Sequence, residues 1–164
     1  MKSLRFYFPF LFAALMATVA HPQKGRAVNV TVPEELEATL FSPNTLTPCV
    51  ACIGVAPTGE VYAGVDQIGS LGKGGGKGKI IRLIDADHDG VSEAHTVYAV
   101  IDNPRGIVPV GDKLYVLHTK WGEGKKFEGM FLSVLTDANG DGKADGPPKH
   151  LVKEISSRKF NQAR

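Results

Sequence analysis

Cysteine is nearly absent from the sequence: Cys49 and Cys52, in CVAC, are the only two in 164 residues. Ile53 follows where c-type haem attachment needs a histidine, which excludes that attachment at this pair. The lack of a second CxxC excludes a four-cysteine zinc site. The pair opens the apolar run CVACIGV, which suits packed thiols, or a disulfide in an oxidising compartment. Long runs of like charge are also missing, and the aromatics are not interleaved with Lys and Arg, so neither a polyanion-binding arm nor a nucleic-acid stacking platform is expected. The glycine-rich stretch GSLGKGGGKGK (69–79) lacks the spacing of a phosphate loop, since no Gly-Lys pair has a glycine five positions earlier or Ser/Thr after it. It reads instead as a loop between strands. No Ser/His/Asp or Cys/His nucleophile set stands out.

The one long apolar run lies at the start. Residues 1–20, MKSLRFYFPFLFAALMATVA, carry Lys2 and Arg5 ahead of it and end in small residues, the pattern of a secretory signal peptide. The run is about 15 residues, interrupted by Pro9, against roughly 20 for a spanning helix. Export to a periplasmic or extracellular space is therefore expected, with no transmembrane span after cleavage. Without Lys2 and Arg5, the 19 basic residues fall to 17, matching the 17 acidic ones. The basic pI thus carries no information about partners.

Helical periodicity is nearly absent, and Gly, Pro and Asp-Gly punctuate apolar runs of five to seven residues, as in an all-β chain. The pattern then repeats. GVAPTGEVYAGV (54–65) corresponds to GIVPVGDKLYVL (106–117), GKIIRLI (78–84) to GMFLSVLT (129–136), and AHTVYAV (94–100) to KHLVKEI (149–155). Four short strands per unit of about 50 residues is the signature of a β-propeller blade. The expected organisation is a signal peptide (1–20), a spacer with an entry strand near Leu36–Phe41 (21–49), blade 1 (50–103), blade 2 (104–155) and a truncated connection (156–164). Two blades do not close a ring, so the chain reads as the N-terminal piece of a longer propeller.

Each unit carries an acidic run, IDADHDGVSE (84–93) and TDANGDGKAD (136–145). Acids at positions 1, 3 and 5, Gly at 6, a carbonyl at 7 and an acid at 9 follow the front half of a calcium loop. The candidate donors are Asp85, Asp87, Asp89, the Val91 carbonyl and Glu93, then Asp137, Asn139, Asp141, the Lys143 carbonyl and Asp145. An EF-hand is excluded because position 12 is Thr96 or Pro148 and the flanks are strand-like. The competing explanation is that Asp-Gly simply makes good turns. Arg105 in NPRGI and His118 in LHTKWG are candidates for a substrate face, against the plainer alternative of packed or surface residues.

Together, PTGEVYAGVDQIGSLGKGGGKGKIIRLIDADHDG, NPRGIVPVGDKLYVLHT and SVLTDANGDGKADG resemble the N-terminal part of large exported propeller proteins of planctomycetes and verrucomicrobia. These are labelled membrane-bound dehydrogenase domains or haem-binding proteins, and the likeness covers roughly residues 27–164. Their propeller is similar to those of quinoprotein glucose and sorbosone dehydrogenases, and many add a cytochrome c domain with CxxCH. The resemblance implies a parent protein that oxidises a sugar or alcohol with pyrroloquinoline quinone and passes electrons to haem c. Its implied partners are the remaining propeller blades, a cytochrome c domain and a carbohydrate substrate. The alternative is a calcium-stiffened propeller that binds extracellular polysaccharide or a protein without chemistry, and fold alone does not choose between them. This chain has no CxxCH and no later blades, so by itself it is expected to be inactive.

Overall fold

The computed structural model describes residues 30–66 and 75–155, so the expected signal peptide, the 156–164 connection and most of the glycine-rich stretch lie outside the described residues. The fold is all-β, with two separate four-stranded antiparallel sheets in simple up-and-down order. Sheet 1 contains β1 (Val50–Val55), β2 (Val61–Asp66), β3 (Gly78–Ile84) and β4 (Ala94–Val100). Sheet 2 contains β5 (Pro104–Val110), β6 (Lys113–Trp121), β7 (Phe127–Thr136) and β8 (Lys149–Ile155). A short 3-10 turn, Glu123–Lys125, links β6 to β7. Among the described residues no helix is long and apolar enough to cross a membrane.

The repeat extends to the irregularities. The bulge between Val50 and Cys52 in β1 recurs between Pro104 and Gly106 in β5. The shift between Ile80 and Ile81 in β3 recurs between Leu132 and Ser133 in β7. A bulge adds one residue and turns the strand locally, so its recurrence gives both sheets the same bend.

Alternation along the strands reports which faces are covered. In β7 every second residue from Gly129 to Leu135 is buried and those between are half-buried, the pattern of a sheet packed on one side. In β3, Ile80 and Ile81 are both buried because sheet 1 is covered on both faces. Between the sheets, Ile80, Tyr98 and Ile101 meet Ile107, Leu114, Val116 and Leu135, and Tyr62 stands edge-on to Tyr98 at 5.3 Å. On the opposite face of sheet 1, Ala63, Val65, Ile81 and Leu83 are covered by Phe41 and Leu46. The expected entry strand over Leu36–Phe41 is not a strand: it contributes one bridge residue, Thr39, within irregular chain. Its apolar residues serve as a lid on sheet 1 rather than as a ladder partner.

Close approach of the sheets depends on glycine. At Gly54 an added Cβ would stand 2.7 Å from the Ile107 carbonyl oxygen, and at Gly64 it would stand 2.6 Å from Cys52 Sγ and 2.9 Å from Pro104. Cys49 is exposed and Cys52 half-buried, and neither forms a disulfide. Burial pushes the Cys52 thiol up to about 11, so it behaves as a packed thiol rather than a nucleophile.

Candidate metal centre

Both acidic runs lie in loops between the third and fourth strand of their sheet, and they fold alike. Asp85 accepts the Asp89 and Gly90 N–H groups at 3.2 and 3.0 Å, and Asp137 accepts those of Asp141 and Gly142 at 3.1 and 2.9 Å. Asp87 and Asn139 accept the Asp89 and Asp141 N–H groups at 3.2 and 3.0 Å. Asp89 and Asp141 accept those of Val91 and Lys143 at 2.8 and 2.9 Å. Glu93 and Asp145 reach back to the Ala86 and Ala138 N–H groups at 2.7 and 2.8 Å, and their own N–H groups donate to the Ile84 and Thr136 carbonyls. The tight path needs left-handed backbone at the fourth and sixth positions. His88 and Gly90 adopt it in the first loop, and Gly140 and Gly142 in the second.

In the first loop, carboxylate oxygens of Asp85, Asp87, Asp89 and Glu93 lie within 4.8 Å of one another. Two unit charges at about 4 Å repel by about 1 kcal/mol even in water, so a cation joining the group of four would relieve that repulsion. The backbone N–H groups above offset part of this. The donor set is all oxygen, which suits a hard cation better than zinc or copper. In the second loop Asn139 replaces one acid, so that group carries one charge less.

Each loop is also tied to the element before it. The Gly142 carbonyl accepts from Thr96 Oγ1 at 3.0 Å, and the Ala144 N–H donates to the Tyr98 carbonyl at 2.9 Å, which fastens the second loop to β4 of sheet 1. The Gly90 carbonyl accepts from Thr39 Oγ1 at 2.7 Å, and the Ser92 N–H donates to the Phe41 carbonyl at 2.9 Å.

The other candidates lie elsewhere. Arg105 is half-buried in β5, in the bulge opposite His118 of β6. His118 is 3% exposed, and its Nε2 lies 2.9 Å from Ser133 Oγ, which in turn lies 2.8 Å from His150 Nδ1. Phe131 packs edge-on against both imidazoles. With Asp102 and Lys120, the two histidines line a cavity of about 400 Å³. Ser133 and His150 escape a reading by motif because they look like ordinary strand residues. The signal that reveals them is their direct pairing across β7 and β8. A second buried network joins Trp121, Asn103 and Asp66.

Burial, reinforced by the neighbouring His150, pushes His118 down to about 4 from 6.5. The folded state therefore holds it neutral while the unfolded chain takes up a proton below 6.5. Stability from this group is complete above about pH 6.5 and is lost as pH falls toward 4, by about 2 kcal/mol at about pH 5. Urea unfolding at about pH 7 and about pH 5 should show this loss in the wild type and a flatter dependence in His118→Gln. Equal slopes in the two proteins would contradict it.

Compared with protein-family models, with curated proteins and with solved structures, the chain matches none.

Proposed function

We propose that this chain is an exported, calcium-organised pair of β-propeller blades, and that its own role is structural and binding rather than catalytic. The observation that carries the reading is the recurrence, at an interval of 52 residues, of the same six loop hydrogen bonds, together with the gathering of four carboxylates in the first loop. Asp-Gly chemistry alone accounts for a turn. The acids at the first, fifth and ninth positions of both loops accept loop N–H groups and also supply oxygens that a cation could share. Calcium takes six to eight oxygens in adaptable geometry. Asp85, Asp87, Asp89 and Glu93, with the Val91 carbonyl, would hold one ion, and Asp137, Asn139, Asp141, Asp145 and the Lys143 carbonyl the other, water completing each shell.

The dehydrogenase activity that the resemblance implies finds little support in these residues. His118 is 3% exposed and paired with Ser133, at the edge of the cavity it lines with His150, and Arg105 lies half-buried in the β5 bulge. Quinone chemistry and haem c would belong to other parts of a longer protein.

Calorimetric titration of metal-free protein with calcium tests the reading. Two sites are expected in the wild type and one each in Asp85→Ala and Asp137→Ala. No binding in the wild type would return both loops to simple turns.

A further inference from the structure

The four hydrogen bonds that fasten the acidic loops form two matching pairs. Thr39 stands to Gly90 as Thr96 stands to Gly142, and Phe41 stands to Ser92 as Tyr98 stands to Ala144. The packing matches as well. Phe41 packs on the sheet 1 cluster that includes Ala63 and Leu83, and Tyr98 packs in the cluster with Val116 and Leu135, which hold the corresponding places in sheet 2. Residues 39–47 therefore sit in a seat shaped for the outermost strand of a preceding sheet, although they are not themselves a strand.

At the other end of the molecule the complementary half of this interface is open. The register places Val108, Val110, Tyr115, Leu117, Leu132, Val134 and Val152 on one face of sheet 2. Val108 and Val110 are more than half exposed, and Leu151 and Val152 nearly half. Leu151 in β8 is the counterpart of Tyr98 in β4, since Val152 pairs with Leu132 as Ala99 pairs with Ile80.

We propose that this face is taken by a second copy of the chain, docked head to tail, with β8 of one copy in the seat that residues 39–47 occupy on the next. The Leu151 carbonyl would then accept from the Ser92 N–H, and the Lys149 ammonium would replace Thr39 as donor to the Gly90 carbonyl. A second copy is the fitting occupant because it carries both halves of an interface already formed once within the chain. Among the described residues the seated segment is anchored by the Thr39 and Phe41 hydrogen bonds and by the packing of Phe41, Leu46 and the buried Thr47, and a seven-residue strand backed by a whole sheet would displace it. Val108 and Leu117 stand where sheet 1 has Gly54 and Gly64. The incoming copy thus sits farther from β5 than β5 sits from β1. Such a contact is heterologous, so repeated association closes a ring or extends a filament. The proposal concerns backbone groups, apolar side chains and the Lys149 ammonium, and does not depend on the loops binding metal.

Light scattering of the full chain over a range of concentrations tests it. The wild type should associate reversibly. Leu132→Asp, on the open face, should weaken association at least about tenfold, and Phe41→Ala, which loosens the lid, should strengthen it about tenfold. Thr39→Ala loosens the lid without touching the core and should shift association in the same direction, which keeps the test valid if Phe41→Ala unfolds. A dimer indifferent to both lid variants joins open face to open face and overturns the head-to-tail arrangement. A monomer at every concentration overturns the proposal and leaves the face to a further repeat in a longer chain.

Discussion

Chelation of calcium is expected to lower the thermal midpoint by about 10–20 °C at matched ionic strength. A ligand at a hundred times its dissociation constant adds about 2.7 kcal/mol per site, and each kcal/mol moves a chain of this size by about 2–4 °C. Two sites acting together give the stated range. The effect should exceed what two surface turns contribute, because each loop fastens one element to another: the second joins the sheets through Thr96 and Tyr98, and the first holds residues 39–41. Releasing the metal frees the carboxylates of Asp85, Asp87, Asp89 and Glu93 to repel. Scanning calorimetry with calcium, with magnesium and with chelator reads the result. An unchanged midpoint and no metal in the purified protein would mean that the backbone N–H groups alone hold the loops.

Gly54→Ala is expected to cost about 3 kcal/mol, while Gly106→Ala costs under about 1 kcal/mol. The first methyl group would stand 2.7 Å from the Ile107 carbonyl oxygen and 3.0 Å from Ile107 Cγ2, so β1 and β5 must part along the interface that holds the sheets together. Overpacking a filled core typically costs 1–3 kcal/mol, and backbone yields less readily than side chain. At Gly106 the added carbon meets Leu117 Cβ at 3.7 Å, an ordinary contact. Urea unfolding of the two variants provides the comparison. Equal stabilities would show that the sheets are loosely apposed. The second repeat supports the same logic: the counterpart of Gly54 is Val108, which is 59% exposed.

The strands were largely legible from local chemistry. GKIIRLI, AHTVYAV and KHLVKEI form β3, β4 and β8 at the expected bounds, because alternating or continuous apolar runs bounded by Gly, Pro and Asp-Gly admit few other backbones. The acidic loops were legible for the same reason, since Asp side chains bond their own backbone two to five residues on. That the chain repeats was also determined by the sequence alone, in the 52-residue interval between Asp85 and Asp137.

Tertiary structure decided whatever depends on residues far apart meeting. The apolar pattern of 36–41 suggested a strand, yet packing made it a lid, because Phe41 and Leu46 reach Ile81 and Leu83 without a ladder. His118, conspicuous in the sequence, became a buried neutral group once β7 and β8 brought Ser133 and His150 beside it. The apolar residues of β3 and β7 look equivalent in sequence, and only the assembled sheets distinguish them. Both faces of β3 are covered, whereas Leu132 and Val134 of β7 face outward, since no local pattern records whether a partner lies beyond a sheet.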